Sequence, residues 1–121
     1  MRLVGLGIDL IALSRVQQFL KRHKLRAWDR LLTQSERRCL SRKPPSVLLF
    51  SKIFAAKEAF FKALGKPWMG LEGFGGIDVK LLPHEKFQVK SLHFGSAKPM
   101  EATGSFFQGK GLVGAEVILW V

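Results

Sequence analysis

Apolar residues recur along the chain with two different periods, and the change of period marks out the architecture. Residues 2–10 alternate around glycines and read as a strand, with Leu6, Ile8 and Leu10 on one side and Asp9 on the other, near the strand end. A capping-box pair, Ser14 and Gln17, precedes Val16, Phe19 and Leu20 at helical spacing and predicts a basic helix over about residues 14–24. Thr33 and Glu36 repeat that device, so a short helix is predicted over about residues 34–42, stopped by Pro44 and Pro45. A long helix is predicted over residues 46–64, with Gly65 as its terminating residue and Pro67 just beyond. The period then shifts to that of strands at Ile77–Leu82, Phe87–Phe94 and Leu112–Trp120, with Gly109-Lys110-Gly111 as a turn into the last. One strand, three helices and three or more strands predict an α+β fold, with the helices packed on one face of a mainly antiparallel sheet.

The long helix carries an unusual distribution of charge. At about 100° per residue, Phe50, Ile53, Phe54, Phe60, Phe61 and Leu64 share one arc, while Ala55, Ala56, Ala59 and Ala63 spread over the opposite side. Both faces are therefore expected to pack against protein. Lys57 projects into the middle of the apolar arc, and Glu58 and Lys62 stand together at its edge. Glu58 and Lys62 have the spacing of an i,i+4 ion pair, and Lys57 could snorkel to water. The alternative is a set of charges held for chemistry, because burying an unpaired charge is costly.

Composition narrows the class. The 121 residues make one domain, 1–121, and 47% hydrophobic content favours folding over disorder. No run approaches the roughly 18 apolar residues of a membrane span, and Asp9 interrupts an opening too short for a secretory signal, so a cytoplasmic protein with no membrane partner is expected. Cys39 is the only cysteine. It permits no intrachain disulfide or cysteine-rich zinc site and is expected to be a packed thiol rather than a nucleophile. Lys and Arg number 20 against nine Asp and Glu, a net charge of +11 that favours an anionic partner. Nucleic acid, an acidic protein and a phosphate-rich small molecule all satisfy that charge. The aromatics are mostly Phe at core-like spacing rather than a stacking platform among the basic residues, which argues against nucleic acid. Gly70, Gly73, Gly75 and Gly76 form a loop too irregular for a nucleotide fingerprint.

Asp9 and Glu58 each sit in an apolar setting. If the fold brings them together, they offer hard oxygen ligands for Mg²⁺, which takes one or two carboxylates and completes its octahedron with water and substrate phosphates. Lys57 and Lys62 would then be placed to meet phosphate charge.

Taken jointly, Gly-Leu-Gly-Ile-Asp-Leu at 5–10, Arg15-Val16, Leu32-Thr33-Gln34-Ser35-Glu36 leading to Cys39, Phe54 to Gly65, and Gly76-Ile77-Asp78-Val79 resemble the holo-(acyl carrier protein) synthase group of 4′-phosphopantetheinyl transferases. Order and spacing match as well, over roughly residues 3–80. The resemblance implies that Asp9 and Glu58 hold Mg²⁺ on the diphosphate of coenzyme A, and that Lys62 lies at the phosphate and cofactor site. Lys57, Gly65 and Lys52 are expected cofactor-binding neighbours. A serine hydroxyl of an acyl carrier protein would attack the β-phosphate, phosphopantetheine would move to that serine, and adenosine 3′,5′-bisphosphate would leave. The serine proton goes to a water or hydroxide near the metal or to Glu58, and the sequence leaves both open. Asp9, Glu58 and Lys62 are thus the expected catalytic residues. The resemblance also implies an acidic acyl carrier protein docking on the first helix at Arg15, Lys21 and Arg22, with Arg26 nearby, and a homotrimer with active sites between subunits.

The chain departs from the family pattern in two places. Ile53 stands where an arginine commonly precedes Phe-Ala-Ala-Lys-Glu, with Lys52 one place earlier. The usual Ser-x-Ser-His segment before the last strand is missing, and residues 83–105 lack the helix the family normally has there. Matching the last strands puts the histidine position near Gln108; Ser91-Leu92-His93 is the other candidate remnant. These departures support an alternative, a transferase-like module that binds coenzyme A or an acidic protein without turnover.

Overall fold

The computed structural model describes residues 2–40, 46–65, 74–91 and 101–120, without the side chains of residues 24–28, 91 and 101. Along the chain run β1 (Leu3–Ala12), α1 (Leu13–Leu31), α2 (Gln34–Leu40), α3 (Val47–Leu64), β2 (Ile77–Leu82), β3 (Lys86–Ser91), β4 (Glu101–Gly109) and β5 (Leu112–Trp120). Every strand pairs antiparallel with its neighbours, in the order β1-β5-β4-β3-β2. The α+β expectation holds, and α3 lies across β1 and β5 with α1 packed against it.

The helix ends follow their capping chemistry. Ser46 caps α3 by accepting the Leu49 N–H at 3.2 Å, and Gly65 closes it in the left-handed region at φ 70°, its N–H donating to the Lys62 carbonyl. Thr33 and Glu36 form the reciprocal box before α2, with Thr33 N–H to Glu36 Oε1 at 2.8 Å and Glu36 N–H to Thr33 Oγ1 at 3.2 Å. The first helix differs from its prediction. It begins at Leu13, whose N–H donates to the Gly111 carbonyl at 2.9 Å, and it extends to Leu31. Beyond residue 24 the sequence still supplies good helix formers without a Gly or Pro to stop it.

Alternation sorts the sheet into two faces. Val113, Ala115, Val117 and Leu119 of β5 point to the helices with Val79, Phe87, Val89, Ala102 and Phe106, and all are buried. On β1 the inward positions are Gly5, Gly7 and Asp9, whereas Leu6, Ile8 and Leu10 lie on the outer face at 65%, 58% and 58% exposure. The apolar side of β1 is thus the one the helices leave uncovered. β4 escaped the sequence reading because its inward residues are Ala102, Gly104 and Phe106, a weak apolar signal, and its outward Thr103 and Ser105 resemble loop. Lys110 and Gly111 turn β4 into β5 at φ 52° and 76°, as expected from the glycine pair.

Both faces of α3 are buried, with Phe50, Ile53, Phe60 and Phe61 joined by Ala55, Ala56, Ala59 and Ala63. Cys39 is exposed, contrary to the expectation of a packed thiol, because Glu36 and Leu40 take the inward side of α2. Gly70, Gly73, His93, Pro44, Pro45 and Pro67 lie outside the described residues.

Candidate active site

The inward alternation of β1 aims Asp9 at α3, and the helical spacing of Glu58 and Lys62 puts both at the edge that faces it. Lys62 Nζ donates to Asp9 Oδ1 at 2.9 Å and to the Ile8 carbonyl at 3.2 Å. Its ion pair is therefore with Asp9, not with Glu58 four residues earlier as the i,i+4 spacing suggested. Glu58 is half-buried beside them, and its carboxyl is held above its ordinary value by desolvation first and the Asp9 charge second, with Lys62 opposing. The separation of about fifty residues between Asp9 and Glu58 is closed by the fold.

An open cavity of about 550 Å³ lies alongside. Asp9, Glu58 and Arg15 supply its polar groups, and Ile11, Phe19 and Phe54 are among its apolar walls. Asp9, Glu58 and Arg15 are thus brought to one place. Phe19, Phe54 and Leu112 were not singled out as site residues, because at helical or strand spacing they read as ordinary core. Arg15, Lys21 and Arg22 are exposed on α1, and the side chain of Arg26 is outside the description.

Lys57 and Lys52 are spent on structure. Lys57 neither snorkels nor reaches a phosphate site: its Nζ is fully buried and donates to Glu36 Oε1 at 2.7 Å, the Leu31 carbonyl at 2.7 Å and the Phe74 carbonyl at 2.8 Å. Three donors with three acceptors leave nothing for a cofactor. Glu36 also accepts the Val79 N–H at 2.6 Å, so one buried pair joins α1, α2, α3 and β2. Burial pushes the Lys57 ammonium down and the Glu36 carboxyl up, each against the pull of its partner. Lys52 is likewise engaged elsewhere, donating to Glu85 Oε2 at 2.7 Å and lying 5.5 Å from the Phe106 ring centroid. Glu85 and His84 form the β2–β3 turn in the left-handed region, at φ 58° and 63°. Gly65 serves as the cap of α3. Asp78 of the Gly-Ile-Asp-Val motif accepts the hydroxyls of Thr33 and Ser35 at 2.6 and 2.7 Å and so ties α2 to β2.

Mg²⁺ suits the chemistry of this donor set. Asp9 and Glu58 are hard carboxylates from different elements that face each other across an open cavity, and their mutual repulsion is only partly relieved by Lys62. Among the described residues no group of three or more His, Cys, Asp or Glu is assembled. Two protein carboxylates with water and substrate phosphates is the usual Mg²⁺ arrangement.

A family model described as the 4′-phosphopantetheinyl transferase superfamily matches residues 5–108. The chain belongs to that superfamily. It is 39% identical over 80 residues to a holo-(acyl-carrier-protein) synthase of Protochlamydia amoebophila, covering 65% of this chain and 63% of that protein. With a protein of the same name from Syntrophotalea carbinolica it shares 48% identity over 64 residues, covering 52% and 49%. The chain thus spans less than two thirds of the length of these phosphopantetheinyl transferase relatives. Among solved structures, a holo-(acyl-carrier-protein) synthase from Neisseria meningitidis superposes with a TM-score of 0.78 at 25% identity, covering 99% of this chain and 100% of that one. The Helicobacter pylori synthase, crystallised with coenzyme A, shares the fold at a TM-score of 0.73 and 24% identity, covering 95% and 99%. The superfamily's fold therefore extends over β4 and β5, beyond the part where sequence resemblance is strongest. No described helix is long and apolar enough to cross a membrane.

Proposed function

We propose that the chain transfers 4′-phosphopantetheine from coenzyme A to a serine of an acidic apo acyl carrier protein, releasing adenosine 3′,5′-bisphosphate. The observation that carries this reading is the convergence of Asp9 and Glu58 on one open cavity, with Lys62 paired to Asp9 beside them. Relatives named holo-(acyl-carrier-protein) synthase support the same activity.

Phosphoryl transfer needs positioning and charge neutralisation more than covalent participation by the protein. Asp9 and Glu58 are the residues that would hold Mg²⁺, which when bound would neutralise diphosphate charge and polarise the transferring phosphorus. Lys62, anchored by Asp9 and the Ile8 carbonyl, keeps one ammonium beside the Asp9 carboxylate, where it would meet a phosphate oxygen. A water or hydroxide beside these carboxylates, or Glu58 itself, would take the proton of an incoming serine hydroxyl. The apolar walls at Ile11, Phe19 and Phe54 exclude water from one side of the cavity. Arg15 stands at its mouth and continues into the exposed basic face of Lys21 and Arg22, where an acidic carrier would dock.

The reading includes a homotrimer and a cytoplasmic setting. Assembly is supported by the outer sheet face, where Leu6 pairs with Ile118 and Leu10 neighbours Phe107 across the buried Gly114, the four apolar side chains being exposed. Contiguous exposed apolar surface of this kind marks an interaction face.

Incubation with coenzyme A, Mg²⁺ and a panel of apo carrier proteins, followed by mass spectrometry, tests the proposal. One carrier is expected to gain the phosphopantetheine increment; no gain with any carrier overturns it. The second reading, binding without turnover, is favoured by the engagement of Lys52 and Lys57 away from the cavity and by the missing Ser-x-Ser-His segment. Calorimetric binding of coenzyme A without any mass gain would establish that instead.

A further inference from the structure

At Gly7 the strand and the long helix approach more closely than any side chain permits. A Cβ built there would lie 1.8 Å from the Ala59 carbonyl oxygen, 2.8 Å from the Ala63 nitrogen and 2.9 Å from the Ala59 carbonyl carbon. All three atoms are α3 backbone, so no rotamer change makes room. Gly7 has the same inward orientation as Asp9, two residues on, and Ala59 lies directly between Glu58 and Lys62 in sequence. This close strand–helix contact is therefore adjacent to the charges that must meet across it. At this separation Lys62 Nζ reaches both the Ile8 carbonyl and the Asp9 carboxylate.

We propose that Gly7 is a positioning residue of the carboxylate site: its missing side chain sets the β1–α3 separation at which Asp9 and Glu58 share one divalent cation. The inference rests on the metal assignment made under the proposed function. Lysine is long enough to follow a displaced partner, but two carboxylates on one Mg²⁺ are not, because the ion demands oxygen distances of about 2.0–2.1 Å. A methyl group at Gly7 has to open the contact by on the order of 1 Å, a misplacement sufficient to cost about 10²-fold in rate. Gly7 touches no reacting atom and acts only through Asp9 and Glu58.

The experiment compares Gly7→Ala, Gly5→Ala, Asp9→Glu and the double variant G7A/D9E, with Mn²⁺ affinity in the presence of coenzyme A read by electron paramagnetic resonance alongside thermal unfolding. Gly5 is the control for mere packing, since its Cβ would lie 2.0 Å from the Ala63 carbonyl oxygen, four residues from Asp9. Gly7→Ala is expected to weaken Mn²⁺ binding by about 10–100-fold, and the longer carboxylate in G7A/D9E to recover about tenfold of that loss. Asp9→Glu alone is expected to weaken binding, and Gly5→Ala to lower the unfolding temperature with Mn²⁺ affinity unchanged.

Parent-like Mn²⁺ affinity in folded Gly7→Ala overturns the proposal. So does equal weakening in Gly5→Ala, or a double variant no better than Gly7→Ala. If Gly7→Ala does not fold, Asp9→Glu decides the matter: undiminished Mn²⁺ binding means that the spacing is not matched to aspartate. Absence of Mn²⁺ binding in the parent protein refutes the metal assignment itself, a distinct result.

Discussion

Lys62 Nζ stands 2.9 Å from Asp9 Oδ1, joining α3 to the inward side of β1 across 53 residues of sequence. The pair is exposed on the lysine side and largely covered on the aspartate side, at 54% and 14% of side-chain area. It therefore holds Asp9 in orientation while leaving the lysine side chain open to solvent. An exposed pair of this kind is worth under about 1 kcal/mol of stability, so its value lies in placement.

Replacing Lys62 by Ala is accordingly expected to leave the unfolding temperature almost unchanged while transfer falls by about 10²-fold or more, as when one charge-stabilising donor is removed from a transition state. Steady-state transfer assays beside thermal denaturation measure both. Parent-like turnover in Lys62→Ala would remove the lysine from the mechanism.

The two carboxylates should behave as a unit. Asp9→Ala and Glu58→Ala are each expected to reduce transfer by at least about 10²–10³-fold, with native circular dichroism. Because both are assigned to one ion, the double variant should be scarcely worse than either single one, a non-additivity that a mutant cycle detects.

Lys57 and Glu36 are expected to matter for stability. Lys57→Met leaves the Glu36 carboxylate buried without its cation and should destabilise by about 3–5 kcal/mol, whereas joint replacement of both by Met and Leu should recover much of that loss. Denaturant titration of the three variants tests it, and equal destabilisation by single and double replacement would argue against the pair.

The same variant carries a pH signature. Burial already holds Glu36 above its ordinary value of 4.5, with Lys57 pulling the other way, so removing Lys57 raises it further. A carboxyl raised on folding contributes stability fully below its unfolded pKa and loses it as pH rises through the folded one. Lys57→Met should therefore gain stability relative to the parent as the pH is lowered from about 8 to about 5. A parallel pH profile for the two proteins would contradict the assignment.

Charge and assembly give a last prediction. Reversing Arg15, Lys21 and Arg22 to Glu should lower kcat/KM for an acidic carrier through slower association, with a difference that narrows as salt is raised. Replacing Ile8 and Leu10 by Lys should convert an oligomer to a monomer in analytical ultracentrifugation, since both side chains lie on the uncovered apolar face. A parent that already sediments as a monomer would remove assembly from the reading.

Much of this architecture was legible in local chemistry. Gly65 ended α3, Thr33 and Glu36 announced α2, and the glycines around Lys110 marked the last turn, because caps and turns depend on residues a few positions apart. β4 was not legible, since Ala102 and Gly104 bury little apolar surface of their own and become inward residues only beside Phe87 and Val117.

The sequence by itself determined which residue types were available for chemistry: an aspartate in a glycine-rich strand, and a glutamate and lysines on an alanine-backed helix. Only the tertiary structure decided how those charges divide. Lys57 and Lys62 are five residues apart on one helix, so their side chains diverge by about 140° at about 100° per residue. One is enclosed by Glu36 and two backbone carbonyls, while the other opens towards Asp9. Which side of β1 would be covered was likewise undetermined by alternation, and was settled by the glycines that let α3 lie directly on the strand. Burial and partnership are properties of surfaces brought together from distant parts of the chain, and no local pattern carries them.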